Sequence, residues 1–535
     1  MTSYELYSSG SNSHGQLGIG SDEDSSTYTR VSLPPDSKPL KLAFGANHSL
    51  LLAEVDGRRA LYGTGSNASR QLGLGETTAR FSFEALDPKD FLPPGVNLGS
   101  EDYEIVGIAA TWSTSFVHLR RRSVPAQGQE CMSDILVSLG SNDWGERGIG
   151  SEEGEGGKAR LEPTIVSMAE VVEVPVRIVR LVAGPRHVLA LLESLDPSAP
   201  SFYFVGWGAS RQGQLGAPHS HTKLPRLLDR PTVVPLPAPF SPRDVVEFAC
   251  GKDHSVVFLN PHASTSTAQP TVLTLGSNKH GQLGPDLTNP SSSNPTSLER
   301  LNALPIPTLN PTLYDPSTIP ALVTVCATWN STFITFPSSS NSTIPSEEIP
   351  SIISFGSNSH GQLGVPSPID SNSSDRVIRT EPQQEGGNLR ILKLDPKSLS
   401  SPRQLPDRTS QKTFPDLPPI SKNGALRLVA GSEHLLAIVT PPSPLASSLP
   451  SSSHPQRQDL YTWGWNEHGN LGLGQGDLLD RNEPVRVGGV IEERLNEGEG
   501  GRIEGVWAGM ATSWVLLSFK KEPGVSDGAG VQGED

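Results

Sequence analysis

An all-β fold, one seven-bladed β-propeller with long disordered loop insertions, is what this sequence predicts, and three observations predict it. A nine-residue motif recurs seven times, a second motif alternates strictly with it, and the composition combines 53 Gly and 48 Pro with 35% hydrophobic residues. Many short strands joined by turns, with polar insertions between them, account for such a mixture.

The first motif is Gly-Ser-Asn-x-x-Gly-Gln-Leu-Gly. It reads GSNSHGQLG from Gly10, GSNASRQLG from Gly65, GSNDWGERG from Gly140, GASRQGQLG from Gly208, GSNKHGQLG from Gly276, GSNSHGQLG from Gly356 and GWNEHGNLG from Gly464. Each copy follows a short run rich in aromatic and β-branched residues, such as ALYGT or FYFVGW, bounded by Gly, which is the signature of a strand. Leu17, Leu72, Leu215, Leu283, Leu363 and Leu471 are the apolar plugs of the repeated turn.

The second motif is a small residue, then Gly or Ala, two variable positions, His or a small polar residue, and an apolar run. AFGANHSLLLA, VAGPRHVLALL and CATWNSTFITF are three of its copies. Units of short strands cannot bury both faces alone, and radial packing buries the faces between blades. The glycines suit close backbone approach or positive φ. A solenoid is the competing repeat architecture, but it needs polar capping repeats, whereas this chain begins and ends within motif.

The motif-bearing segments start near residues 4, 59, 134, 202, 271, 351 and 459. Successive first glycines are 55, 75, 68, 68, 80 and 108 residues apart, against roughly 40–50 for a bare four-stranded blade. The excess reads as insertions on one ring spanning 1–522: a low-complexity stretch at 366–419, further runs at 285–320, 337–350 and 441–458, the Gly/Glu-rich 151–157, and a disordered tail at 523–535.

The formal net charge is −15. Nucleic-acid and anionic-membrane binding need clustered cations, so direct nucleic-acid contact is not expected. No run of about 18 apolar residues indicates a membrane span, and the N-terminus lacks the pattern of a signal peptide. Cys131, Cys250 and Cys326 form no CxxC pair, so neither a zinc site nor a disulfide framework is indicated. A reducing compartment follows, cytoplasmic and also nuclear, where the sequons at Asn47, Asn67, Asn330, Asn341 and Asn372 are accidental. No phosphate loop, GxSxG or HExxH is present, and no acid/base pair of carboxylates stands out. No catalytic, cofactor-binding or metal-binding residue is nominated, and a monomer is expected apart from its partner.

His48, His187, His254 and His434 share one position in four copies of the second motif, with Ser113, Asn330 and Thr512 aligned to it elsewhere. Such repetition suits a structural anchor rather than an active site. His14, His280, His360 and His468 precede the turn glycine, where Trp144, Ser69 and Gln212 stand in other copies. They read as a ring of turn residues on one face, or as a shared contact face. The acidic run Asp22, Glu23 and Asp24, like 152–155, reads as a solvated loop or a landing site for a basic partner. Trp144, Trp207, Trp463 and Trp465 offer interface anchors or packing near the axis.

The paired motifs resemble the repeats of the regulator-of-chromosome-condensation family over roughly 4–519, and GSNxHGQLG recurs intact at Gly10, Gly276 and Gly356. That resemblance implies a seven-bladed propeller. GIGSDEDSSTYTRV after the first turn, Trp112 and Trp329 in the second motif, and the immediate start at Tyr4 are similar to the fungal alpha-tubulin-suppressor branch. The branch implies a non-catalytic accessory subunit partnering a small CSL-type metalloprotein in tRNA wobble-uridine modification and diphthamide synthesis. The alternative is a guanine-nucleotide exchange factor for a Ran-like or other small GTPase. A regulatory module for ubiquitin ligation or secretion, acting through a partner, is a third reading. No basic tail precedes the first strand, which argues against the founding branch's chromatin role.

Overall fold

The computed structural model describes residues 2–93, 103–122, 132–150, 162–216, 224–261, 269–285, 301–306, 323–335, 352–364, 390–392, 425–440, 458–497 and 500–520. Seven four-stranded antiparallel sheets make seven blades. Blade 1 consists of Lys38–Phe44, His48–Val55, Arg58–Gly65 and Arg80–Leu86, paired in that order. Blades 2 to 6 cover 103–165, 176–233, 245–305, 324–392 and 425–486.

Blade 7 is assembled from both ends of the chain. Arg502–Ala508 and Thr512–Lys520 supply its first two strands, and Thr2–Gly10 and Ser25–Val31 its last two. Thr2–Gly10 pairs with Thr512–Lys520 along its whole length, from Thr2 opposite Lys520 to Gly10 opposite Thr512. An eight-residue helix, Val490–Glu497, leads into this seam. Its Arg494 grips Glu5 with two hydrogen bonds, Nη2 to Oε1 at 2.7 Å and Nε to Oε2 at 3.1 Å.

The phase of the sequence repeat differs from the phase of the blade. Residues 4, 59, 134, 202, 271, 351 and 459 fall at or beside the starts of third strands. Each blade therefore takes its first two strands from the second motif and its last two from the first motif that follows.

Two stretches assigned to insertions on composition carry a fourth strand within them. Leu301–Pro305 completes blade 4 inside 285–320, and Arg390–Leu392 completes blade 5 inside 366–419. Outer strands pair on one edge only and carry no repeated motif, so composition hides them. The rest of 366–419 lies outside the described residues, as do 151–157, 337–350, 441–457, 523–535 and Cys131.

The core is a ring of apolar clusters lying between neighbouring blades. One joins Leu50, Leu72 and Leu86 to Ile108, Val117 and Leu139, and another joins Val256, Val272 and Leu304 to Val325, Ile334 and Ile353. At the seam, Tyr7, Val515 and Leu517 pack on Leu436 and Leu460. The turn leucines Leu17, Leu283 and Leu471 are fully enclosed, at 0% exposure.

Candidate functional site

The third strand of each blade ends on the first-motif glycine, which pairs with the opening residue of the second strand: Gly10 with Thr512, Gly65 with His48, Gly276 with His254. Turns between first and second strands and turns between third and fourth strands therefore share one face of the ring. The seven glycines Gly10, Gly65, Gly140, Gly208, Gly276, Gly356 and Gly464 have φ between 97° and 122°. A Cβ on any of them would stand 2.1–2.5 Å from a carbonyl oxygen of the adjoining turn. The next residue donates its N–H to that same carbonyl, as Ser66 does to Asn47 and Ser277 to Asp253 at 2.9 Å. Only glycine meets both conditions.

The other motif residues build the turn. Asn12 Oδ1 accepts the Leu17 N–H at 2.8 Å, and Asn278, Asn358 and Asn466 repeat the bond to the leucine five positions on. Gln16 Oε1 accepts the His14 N–H at 2.9 Å, a bond repeated at Gln71, Gln214, Gln282 and Gln362.

The four second-motif histidines are buried and reach the next blade. Nε2 of His48 lies 2.9 Å from Ser115 Oγ, His187 2.8 Å from Ser255, His254 3.0 Å from Thr332, and His434 3.0 Å from Ser513. Ser255, Thr332 and Ser513 spend their own hydrogens on the carbonyls of Gln214, Gln282 and Asn470. The hydroxyls therefore accept, and Nε2 carries the proton at these three histidines. Burial pushes the imidazoles down, to about 4 at His48, His254 and His434 and about 3 at His187, where His254 adds to the effect.

The residues that replace these histidines are Thr114, Ser331 and Thr512, opposite Gly140, Gly356 and Gly10. The sequence alignment placed Ser113 and Asn330 there, one residue early. Ser113-Thr114-Ser115 and Asn330-Ser331-Thr332 are runs of similar polarity, and only strand pairing sets their phase.

In blades 1, 4 and 6 a Cβ on Gly45, Gly251 or Gly431 would stand 2.1–2.3 Å from Cε1 of the histidine three residues on. Blades 2 and 5 have Thr111 and Thr328 at that place, and there the histidine is absent. The turn backbone is unchanged: Gly45 donates to His48 O at 2.9 Å, and Thr111 donates to Thr114 O at 2.9 Å. Threonine takes the space the imidazole would need.

Blades 2 and 5 also carry Trp112 and Trp329, whose rings meet across the mouth of the central channel with centroids 5.9 Å apart. Trp112 is 41% exposed. Backbone bonds lace the mouth together: Ala46 donates to Trp112 O, Trp112 to Pro185 O, Lys252 to Trp329 O, Trp329 to Ser432 O and Ser432 to Gly509 O. Lys252 Nζ sits 5.3 Å from the Trp329 ring centroid, and Arg186 and Arg226 stack on Trp144 at 4.5 and 5.2 Å.

Charge on this face is divided. Arg186, Arg211, Arg226, Lys252 and Lys279 lie on blades 3 and 4, with Asp253 set against Arg186 at 3.8 Å. Asp22, Glu23, Asp24, Glu467 and Asp480 are exposed on blades 6 and 7. Asp24 is a joint as well as a surface charge, since Oδ1 accepts the Asn12 N–H at 2.7 Å and Oδ2 meets His468 Nδ1 of blade 6 at 2.8 Å. Asp480 serves Asn466 and His360 of blade 5 in the same way. The ring of Trp465 lies between His360 and His468, at 6.0 and 5.4 Å.

His14, His280 and Trp144 also stand on this face, so every turn residue nominated as a contact shares it. Trp207 and Trp463 do not. They are 0% and 1% exposed, packed between blades, with Nε1 donating to Glu146 O and Gln362 O of the preceding blade.

Two buried carboxyls escaped sequence reasoning. Glu433 of blade 6 reaches back to blade 5, accepting from Asn330 Nδ2 at 2.9 Å, Gln362 Nε2 at 2.7 Å and Thr328 Oγ1 at 3.3 Å. Glu146 fills the glutamine position of its turn. Burial pushes both up to about 7. Among the described residues, no group of three or more His, Cys, Asp or Glu side chains gathers into a metal-binding arrangement. Cys250 and Cys326 are free thiols, both pushed up by burial.

The family described as the regulator of chromosome condensation (RCC1) repeat matches residues 5–52, 206–258 and 459–503. Those three segments carry the RCC1 repeat, set in a ring of seven blades. It is 25% identical to the secretion-regulating guanine nucleotide exchange factor of Bos taurus over 88% of this chain and 76% of the relative. Yeast Prp20p, whose solved structure is described with its binding to Gsp1p and histones, superposes with a TM-score of 0.59 at 17% identity, over 97% of this chain and 92% of that one. Human WBSCR16 superposes with a TM-score of 0.57 at 15% identity, over 96% and 98%. Those two likenesses establish the ring and nothing finer. The turn face is where this chain concentrates its exposed tryptophan and its divided charge.

Proposed function

We propose that this propeller docks a protein across its turn face, and that the partner is a small GTPase whose bound nucleotide it helps to release. The observation that carries the docking reading is the Trp112–Trp329 pair at the channel mouth, flanked by cations on blades 3 and 4 and by carboxylates on blades 6 and 7. Tryptophan and arginine near the centre of a face are the residues that anchor interfaces, and opposed charge patches fix orientation. The partner class rests on the Bos taurus relative, which is named a guanine nucleotide exchange factor. Exchange requires a rigid surface that distorts the phosphate and Mg²⁺ site of the GTPase, and no acid or base of its own.

The test is release of a fluorescent GDP analogue from a panel of Ran, Rab and Rho proteins, with wild type and with Trp112→Ala/Trp329→Ala. Acceleration of one GTPase, lost in the double variant, is expected. Unchanged rates across the panel would remove the exchange reading. The tryptophan pair also carries the similarity to the alpha-tubulin-suppressor branch, which favours a second reading: a CSL-type metalloprotein seated on the same face, serving tRNA wobble-uridine modification and diphthamide synthesis. Calorimetric titration with such a protein separates the two, since saturable heat that the double variant abolishes selects the second.

A further inference from the structure

The first strands of blades 1 to 4 each carry a bulge, and the residues just after it are Lys41, Gly107, Arg180 and Glu247. Lys41, Gly107 and Arg180 line the central channel, and Glu247 stands beside Arg180. Arg180 and Glu247 satisfy each other, Nη2 to Oε1 at 2.6 Å, and the guanidinium lies over the Phe248 ring at 5.4 Å. Lys41 has no such companion. Its ammonium makes no hydrogen bond or ion pair among the described residues, and Gly107 leaves the wall between it and Arg180 without a side chain.

The channel encloses about 660 Å³, a size within the range of small-molecule sites. The described residues lining it include Lys41, Arg120, Arg180 and His118, and among them there is no Asp or Glu. Two carboxylates pair with these cations, Glu247 with Arg180 and Asp134 with His118 and Arg120, and neither is among the lining residues. In a chain of net charge −15 this is a reversal of local sign. Burial and the neighbouring Arg180 both hold the Lys41 ammonium below its ordinary pKa, the signature of a cation lacking a counter-charge. Lysine offers phosphate a point charge and arginine a planar donor fork, so the two together suit phosphoryl oxygens.

We propose that the central channel binds a small phosphorylated ligand whose oxygens bridge Lys41 and Arg180 across Gly107. The site lies on the channel wall within the mouth that Trp329 helps to form, and its test is independent of the GTPase reading.

Calorimetric titration of the full chain with inorganic pyrophosphate and with inositol hexakisphosphate, in chloride buffer at fixed ionic strength, tests it. Saturable one-to-one binding of at least one probe is expected, weakened roughly tenfold or more in Lys41→Gln and kept in Lys41→Arg. Which probe binds distinguishes a simple diphosphate from a bulkier polyphosphate. In the absence of ligand, the melting temperature of Lys41→Gln is expected to match or exceed wild type, because an uncompensated charge has been removed. Saturable heat from neither probe, undiminished binding in Lys41→Gln, or a fall in its ligand-free melting temperature would each overturn the proposal.

Discussion

Blades 4 and 5 are neighbours built on the same motif, and they are fastened to the ring in opposite ways. Blade 4 reaches forward, with His254 over Gly251 bonded to Thr332. Blade 5 has Thr328 and Ser331 at those places and is held by Glu433, which reaches back from blade 6 to Thr328, Asn330 and Gln362. A joint in this ring thus belongs to a pair of blades rather than to the repeat. In blades 2 and 5, where the histidine is given up to Thr111 and Thr328, the turn carries a tryptophan at the mouth; in blade 7 Met510 stands there. In those two blades, fastening and the aromatic mouth draw on the same few positions.

The sharpest way to break this comparison is to move one blade's pattern onto the other. Gly251→Thr places a Cβ 2.2 Å from His254 Cε1 and 2.8 Å from Thr328 O, and is expected to cost about 3 kcal/mol or more. Adding His254→Ser removes the imidazole, the nearer obstruction, and leaves the contact with Thr328 O. Urea unfolding of both single variants and the double is expected to give a favourable coupling above about 1 kcal/mol. Strict additivity would show that the two positions do not compete for space.

Removing the forward bond alone comes next. His254→Ala leaves Thr332 still donating to Gln282 but vacates a buried ring, so a loss of about 2 kcal/mol is expected by the same measurement. Ser331→Ala in blade 5 deletes one bond, to Ser357 O, and is expected to cost about 1 kcal/mol.

Acid separates the two kinds of joint. Unfolded, the four histidines take up protons near pH 6.5; folded, they stay neutral down to about 4, or about 3 at His187. The unfolded chain then holds more protons, so stability falls as pH drops from about 6.5 towards 4, each histidine adding a slope approaching about 1.4 kcal/mol per pH unit. Glu146 and Glu433 act oppositely. Their carboxyls, at about 7, take up protons in the folded chain first, which stabilises it as pH falls from 7 through the ordinary carboxyl range. Thermal melts at stepped pH are expected to show a net loss on acidification, made steeper by Glu433→Gln. An unchanged slope in that variant would show that Glu433 is not a titrating joint.

The smallest effect on stability is expected at the mouth. Trp112→Ala removes a ring already 41% exposed and is expected to shift unfolding by less than about 1 kcal/mol.

What could be read in advance follows from how local each constraint is. Gly65 is legible because its demand, positive φ beside the Asn47 carbonyl, is met within one blade and repeated around the ring. The blade count follows for the same reason. The alignment of Ser113 and Asn330 slipped by one because adjacent hydroxyl and amide side chains look alike until a partner strand sets their phase. Arg390–Leu392 stayed hidden because an outer strand of three residues, paired on one edge, leaves no periodic trace. Glu433 and Lys41 were illegible for a stronger reason. Their meaning lies in what another repeat places beside them.

The blade shared by the two ends of the chain bears on biosynthesis. Leu6 must wait for Leu516, so the opening hairpin leaves the ribosome more than five hundred residues before the strand that will cover it. Closing so long a loop adds only a slowly growing entropic penalty, but until then Tyr4, Leu6 and Tyr7 are without their sheet neighbour. A nascent chain halted before Thr512 would present that hairpin to whatever holdase stands at the exit tunnel.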